Sequence, residues 1–136
     1  MIYYKKTNIF KYKLEEDYWI YLPEKFFSHY INSEYIKLHK TRLYVLKGYR
    51  WDGPSGPTLD TISFMRGSLI HDVLYQLIRE KKLNLTLRRE ADKLLRKHCR
   101  EDGMSWVSAY LVYKAVRIFG AKAVDPEGHI AIRRAP

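Results

Sequence analysis

The chain has 136 residues, of which 46% are hydrophobic, and this size and composition predict one folded domain, 1–136, rather than a disordered chain. Its net charge of +10 favours an anionic partner such as nucleic acid, a phospholipid surface or an acidic protein. The single cysteine, Cys99, excludes an internal disulfide and a cysteine-based zinc site, so we expect packing to hold the fold in a reducing compartment.

The N-terminal segment gives no targeting signal. Residues 1–11 are basic and polar, without the apolar stretch that a signal peptide requires. The apolar runs elsewhere are far shorter than the roughly 18 residues that cross a bilayer. We therefore expect a soluble or peripheral protein with neither a signal peptide nor a transmembrane segment.

The first third of the chain, 1–48, alternates apolar and polar residues in the manner of β-strands. Four segments read as strands: 9–14, 18–22, 35–39 and 43–46. The short connection 40–42 predicts a hairpin between the last two, and 24–31 is either a short helix or a loop. The sequence thus predicts a small antiparallel sheet at the N-terminus.

Glycine and proline then dominate a loop, 49–61, after which the periodicity becomes helical. Apolar residues at helical spacing predict three helices: 63–79, 87–101 and 106–119. Gly103 and Gly120 are expected to end the second and third helices, before a tail at 121–136. The expected fold class is α+β, with the sheet followed by a three-helix core at 62–120.

Three polar residues of these helices are expected to meet. His71 and Tyr75 are four residues apart and therefore share one helix face. The short link between the first two helices makes them antiparallel neighbours, which brings Asp92 level with His71. Asp92 can then accept a hydrogen bond from one ring nitrogen of His71 and leave the other nitrogen as a base, while the Tyr75 hydroxyl steadies Asp92.

Asp72, the next residue after His71, has no obvious partner on that face. A carboxylate near a loop rich in main-chain carbonyls is the kind of environment that calcium prefers. Asp52, within the loop, is either a further metal ligand or part of a tight turn.

The motifs around these residues resemble a known family. Gly-Tyr-Arg-Trp-Asp-Gly-Pro-Ser at 48–55, His-Asp-Val-Leu-Tyr at 71–75 and Arg-Arg-Glu-Ala-Asp at 88–92 are similar to the pattern of domain-of-unknown-function family 1353. The segment 113–120 fits the same pattern, and the resemblance covers about residues 43–120. Because that family occurs in phages and prophages, the resemblance implies a phage-encoded protein of the host cytoplasm or the virion.

The same stretch is also similar to the catalytic core of secreted and parvoviral phospholipases A2. The loop 49–56 resembles the parvoviral Tyr-x-Gly-Pro-Gly loop, and the intervals between Gly53, His71 and Asp92 agree with the phospholipase pattern to within about a residue. The resemblance implies that His71 is the general base that activates water, that Asp92 orients it and that Tyr75 holds Asp92. The calcium ligands that it implies are Asp72 and the main-chain carbonyls of Trp51, Gly53 and Ser55. Asp52 is an extra carboxylate that departs from the phospholipase loop.

Four functions remain open at this point. The first is a calcium-dependent, phospholipase A2-like ester hydrolase acting on anionic membranes, and the second is a non-catalytic phage virion or host-interaction protein on the same scaffold. The third is a metal-dependent phosphohydrolase that adds His39 or His98 to the His71–Asp72 pair. The fourth is nucleic-acid binding through net charge alone.

Simpler interpretations of individual residues also stand. Asp92 could form a surface ion pair with neighbouring cations of its own helix. The basic cluster at 96–100, which includes His98, is interpreted as a solvated helix face. The aromatic residues of the third helix are predicted to be core or packing residues: Trp106, Tyr110 and Tyr113.

Overall fold

The computed structural model describes residues 2–6, 12–52 and 62–126. The predicted strand residues 9–11, most of the glycine- and proline-rich loop and the end of the tail lie outside the described residues. The chain divides into two compact units, Met1–Asp60 and Thr61–Pro136. The expectation of a single domain stays a prediction.

The described residues of the first unit, 2–6 and 12–52, form seven strands, all in antiparallel pairs. In chain order they are β1 (Tyr4–Lys6), β2 (Tyr12–Leu14), β3 (Tyr18–Tyr21), β4 (Ser28–Asn32), β5 (Ile36–Lys40), β6 (Arg42–Val45) and β7 (Arg50–Trp51). They form a three-stranded sheet in the order β1-β2-β7 and a four-stranded sheet in the order β3-β6-β5-β4. The predicted N-terminal antiparallel β-structure is confirmed.

The predicted hairpin corresponds to β5 and β6. His39 pairs with Arg42 across a two-residue turn in which Lys40 has a φ of 57°, a left-handed conformation that residues other than glycine rarely adopt. The segment 24–31 is neither only a helix nor only a loop. A 3₁₀ helix at Glu24–Phe26 leads directly into β4, a strand that the alternation did not predict.

The four-stranded sheet has one buried and one exposed face. Side chains alternate between the two faces of a strand, and the apolar set falls on one of them. Residues of β5 and β6 on that face are completely buried: Ile36, Leu38, Leu43 and Val45. The other face exposes Trp19 and Tyr21, which are 52% and 58% accessible.

Within residues 62–126 the second unit has three α-helices, as predicted, and the fold is α+β. They are α1 (Ile62–Arg79), α2 (Arg88–Glu101) and α3 (Trp106–Phe119). Asn84 caps a 3₁₀ helix at Leu85–Leu87 by accepting a hydrogen bond from the Thr86 amide at 2.9 Å. Ser105 caps α3 by accepting from the Ser108 amide at 3.1 Å. No helix in the described part of the chain is long and apolar enough to cross a membrane.

A glycine lets α1 and α2 approach closely beside the predicted site. A Cβ on Gly67 would lie 3.0 Å from Leu95 Cδ1 and 3.2 Å from Cys99 Sγ. His71 follows Gly67 by one turn on α1, and Asp92 precedes Leu95 by about one turn on α2. The antiparallel contact at Gly67 therefore sets the level at which His71 and Asp92 face each other.

Candidate functional site

Asp92 is the centre of a polar cluster enclosed by the three helices. Its side chain is completely buried, which excludes the surface ion pair considered from the sequence. Its Oδ1 lies 2.7 Å from His71 Nε2 and accepts a hydrogen bond from the Tyr75 hydroxyl at 2.5 Å. The structure thus brings together the three residues that the sequence singled out, while their catalytic roles remain predictions.

The second carboxylate oxygen of Asp92 binds an arginine that the sequence reasoning missed. Arg117 Nη1, from α3, donates to Asp92 Oδ2 at 2.7 Å, and the Arg117 side chain is 23% exposed. Arg117 falls within the family-like segment 113–120, which was the one available signal. Asp92 therefore joins α1, α2 and α3 through His71, Tyr75 and Arg117.

Arg88, at the start of α2, was also missed as a site residue. Its Nε donates to the Tyr75 hydroxyl at 3.2 Å, and its Nη2 donates to the carbonyls of Val116 and Arg117 at 2.7 and 2.9 Å. A side chain at position 120 would collide with this contact, because a Cβ on Gly120 would lie 2.5 Å from the Tyr75 hydroxyl oxygen. Arg88 consequently fixes the end of α3 against Tyr75.

The cluster keeps Asp92 ionised. Burial alone would raise the pKa of Asp92, but hydrogen bonds from His71, Tyr75 and Arg117 stabilise the carboxylate, and its pKa is lowered. Burial and the adjacent carboxylate raise the pKa of Tyr75, so its hydroxyl remains a hydrogen-bond donor. The site therefore contains a fixed negative charge surrounded by donors.

This charge determines the arrangement of protons on His71. An ionised Asp92 accepts hydrogen bonds only, so Nε2 of His71 carries the proton and donates it. In the neutral ring the lone pair is then at Nδ1, which is the nitrogen that could act as a base. His71 is 6% exposed, and its ring lies 4.0 Å from that of Tyr75 between centroids.

The residues expected to bind calcium fall into three groups. Asp72 is half-buried on α1 and has an interaction of its own, so the expectation that it lacks a partner is wrong. Trp51 is buried in β7 and Asp52 is exposed after it, both in the first unit. Gly53 and Ser55 lie outside the described residues. Within residues 2–6, 12–52 and 62–126, no group of three or more His, Cys, Asp or Glu side chains is placed to hold a metal ion.

Two histidines considered for a phosphohydrolase lie elsewhere. His39 is exposed in β5 of the first unit. His98 is 3% exposed on α2, so its interpretation as part of a solvated basic face is wrong. Burial is the main cause that lowers the pKa of His98, to about 4.

A cavity of about 560 Å³ lies on the arginine side of the cluster. Three arginines contribute to its lining, Arg88, Arg89 and Arg117, together with apolar residues that include Leu85 and Val124. His71 is not among the described residues that line it. Glu90 also lines it, so the described residues give this cavity three cations and one carboxylate.

A family model matches residues 30–116 under the description "Protein of unknown function (DUF1353)". The chain belongs to the DUF1353 family. The match includes His71, Tyr75, Arg88 and Asp92, and it ends one residue before Arg117. No curated protein and no solved structure matches the chain.

Proposed function

We propose that this DUF1353 protein is a phage-encoded, calcium-dependent ester hydrolase of the phospholipase A2 type. The observation that carries the proposal is the 2.7 Å contact between His71 Nε2 and the buried, ionised Asp92, with Tyr75 as a second donor to the same oxygen. The resemblance of the sequence motifs to phospholipases A2 supports it. A protein of the host cytoplasm or the virion that acts on anionic phospholipid surfaces is the corresponding expectation.

In this proposal His71 Nδ1 takes a proton from water, and the water oxygen attacks the ester carbonyl. Asp92 stabilises the imidazolium that forms, while Tyr75 keeps Oδ1 of Asp92 in place. The same proton then passes from His71 to the leaving alkoxide. Calcium held by Asp72 and loop carbonyls would supply positive charge for the oxyanion.

The test is fatty-acid release from vesicles that contain anionic phospholipid, measured with millimolar calcium and with a chelator. We expect calcium-dependent release by the wild-type protein and its loss in His71→Gln. His29, an exposed histidine of β4, provides the matched control, and His29→Gln should hydrolyse at the wild-type rate. Wild-type protein that releases no fatty acid under these conditions would refute the proposal.

One observation favours a second candidate, a non-catalytic virion or host-interaction protein. Arg117 neutralises Asp92 directly at 2.7 Å, which weakens the stabilisation that Asp92 could give to a His71 imidazolium. In this candidate the cluster cross-links three helices and has no chemical role. It predicts a stable protein partner that binds His71→Gln as tightly as the wild type, measured by co-purification from infected cells and by titration.

A further inference from the structure

One side of α3 is exposed although it carries large apolar side chains. Four of them are 57–64% exposed: Trp106, Val107, Leu111 and Ile118. Of the two predicted roles for Trp106, core or packing, the core role is therefore wrong, while its ring stacks on that of Tyr110. Helical spacing places these residues on one side of α3, while Ala109 and Val112 are buried on the other. The side of α3 that carries Ala109 and Val112 thus packs against the interior of the second unit.

A row of cations on α2 borders that side of α3. Lys93, Arg96, Lys97 and Arg100 follow helical spacing and form, with Trp106 and Tyr113, a groove of about 420 Å³. None of these six lining residues is acidic. The Arg96 guanidinium lies over the rings of Tyr110 and Tyr113, at 5.2 and 5.9 Å from their centroids.

The acidic side chains of α2 nearest the groove leave it with an excess of positive charge. Glu101 and Asp102, at the end of α2, both bind Arg66 of α1 at 2.9 Å. Glu90, one turn before the groove, lies 3.7 Å from Lys93 and so offsets one of the four cations of the row. The cationic row together with the exposed apolar side of α3, here called the α2–α3 face, therefore combines positive charge with apolar surface.

We propose that the α2–α3 face docks on an anionic phospholipid membrane. Amphipathic helices with cations beside an apolar side lie in the membrane interface, where apolar side chains enter the headgroup boundary and cations reach lipid phosphates. Trp106 combines an apolar ring system with a polar N–H, which suits this interface. The proposal deepens the proposed function and rests on it, since the membrane carries the ester substrate.

The apolar residues distinguish a membrane from a nucleic acid. Single-stranded nucleic acids bind proteins through cations and through aromatic rings on which bases stack. Val107, Leu111 and Ile118 have no ring, and Trp106 is stacked on Tyr110 with an interplanar angle of 8°. A lipid interface accommodates all of these side chains, so the observations favour the membrane.

The apolar part is tested by co-sedimentation with vesicles of phosphatidylcholine, alone or mixed with phosphatidylglycerol. We expect binding to the anionic vesicles, weakened about tenfold by Leu111→Ser because a leucine no longer enters the interface. Leu85→Ser is the matched control, since Leu85 is 62% exposed and Leu111 is 60% exposed. Circular dichroism establishes that both variants are folded.

The cationic part is tested in the same assay with Arg96→Gln/Lys97→Gln. Loss of two cations near the membrane should weaken binding about 25-fold, at about fivefold per cation. Lys47→Gln/Arg50→Gln removes two exposed cations from the first unit and should bind within about twofold of the wild type. Raising the salt concentration should lower the affinity of the wild type.

Several results would overturn the proposal. They are absence of binding to the anionic vesicles, equal effects of Leu111→Ser and Leu85→Ser, and a dimer that depends on Leu111 without vesicle binding. Tight binding of a single-stranded oligonucleotide, weakened by the cation variant but not by Leu111→Ser, would identify nucleic acid instead. His71→Gln should bind vesicles like the wild type. Wild-type protein that binds vesicles without releasing fatty acid refutes the hydrolase and leaves the docking surface standing.

Discussion

Two buried histidines on neighbouring helices have opposite environments. His71 on α1 is 6% exposed and contacts the carboxylate of Asp92 at 2.7 Å. His98 on α2 is 3% exposed, and its Nδ1 is a buried nitrogen without a hydrogen-bond partner in the structure as described. His71 is thus part of a polar network, whereas His98 occupies a core position as a neutral ring.

The difference shows that burial alone does not indicate a functional histidine. A buried imidazole becomes a usable base when a carboxylate fixes its tautomer and stabilises its charged form. His98 faces Arg66, Lys97, Glu101 and Asp102, and burial outweighs the two acids so that its pKa is lowered. Of these two histidines, His71 alone has the environment that acid–base chemistry requires.

Removal of the carboxylate is expected to have the largest effect on stability. Asp92→Ala leaves the polar groups of His71, Tyr75 and Arg117 without their common partner, and should lower the free energy of unfolding by about 3–5 kcal/mol. Asp102→Ala is the matched control, because Asp102 also binds an arginine but its side chain is 27% exposed. It should cost no more than about 1 kcal/mol in urea denaturation. If both substitutions lower the free energy of unfolding equally, Asp92 contributes no more to stability than the partly exposed Asp102 does.

The second-largest effect is expected from acidification, which should lower the stability of the fold because the pKa of the buried His98 is lowered. The unfolded chain protonates His98 at pH values below about 6.5, whereas the folded protein holds its pKa at about 4. Between these values the unfolded state binds more protons, so stability is complete above about pH 6.5 and falls as the pH is lowered toward 4. The loss should be on the order of 3 kcal/mol by pH 4, measured by urea denaturation at a series of pH values.

His98→Leu should remove this part of the pH dependence, since no titrating group remains at the position. His29→Gln, at an exposed histidine, should retain it. The contribution of Asp92 is separate in pH, because its lowered pKa stabilises the fold above about pH 4 and is lost only below that value. A steep loss between pH 6.5 and 4 that persists in His98→Leu would contradict the assignment.

The same substitution at the two histidines should have opposite effects at neutral pH. His71→Leu removes a hydrogen bond to a buried charge and should destabilise the protein by about 2 kcal/mol. His98→Leu replaces a ring with an unpartnered nitrogen by an apolar side chain, and should be neutral or slightly stabilising. Thermal denaturation of the two variants at pH 7.5 provides the comparison, and equal destabilisation would argue against it.

Much of the fold was predictable because its signals are local. The periodicity of 63–79, 87–101 and 106–119 reproduces α1, α2 and α3 to within about a residue at each end. Strands β1, β4 and β7 were missed, because their few residues do not alternate between apolar and polar side chains. Short strands of this kind are specified by the sheet that they join rather than by their own alternation.

The sequence predicted those parts of the site that depend on spacing within a helix and on the short link between two helices. Spacing on α1 and the short link to α2 were enough to bring His71, Tyr75 and Asp92 together. Arg117 could not be found in this way, because its contact with Asp92 depends on how α3 packs against α2. The exposure of Trp106 was mispredicted for the same reason, since the pattern of α3 does not show which of its sides meets the core.

The smallest effect is expected from removal of the Tyr75 hydroxyl, which contacts both Asp92 and Arg88. Tyr75→Phe removes a donor to Asp92 and an acceptor for Arg88, but leaves His71 and Arg117 on the carboxylate. We expect a loss of about 1 kcal/mol at neutral pH. Because the pKa of Asp92 rises when a donor is lost, acid unfolding of the variant should begin at a higher pH than in the wild type.

Tyr44→Phe is the matched control for this substitution. The Tyr44 hydroxyl also accepts a hydrogen bond from an arginine, Arg42 at 3.0 Å, but the contact is exposed on the four-stranded sheet. Its loss should change stability by less than about 0.5 kcal/mol and leave acid unfolding unaltered. If Tyr75→Phe behaves in the same way, His71 and Arg117 alone hold Asp92, and the distinction between the two buried histidines rests on a single hydrogen bond at Nε2.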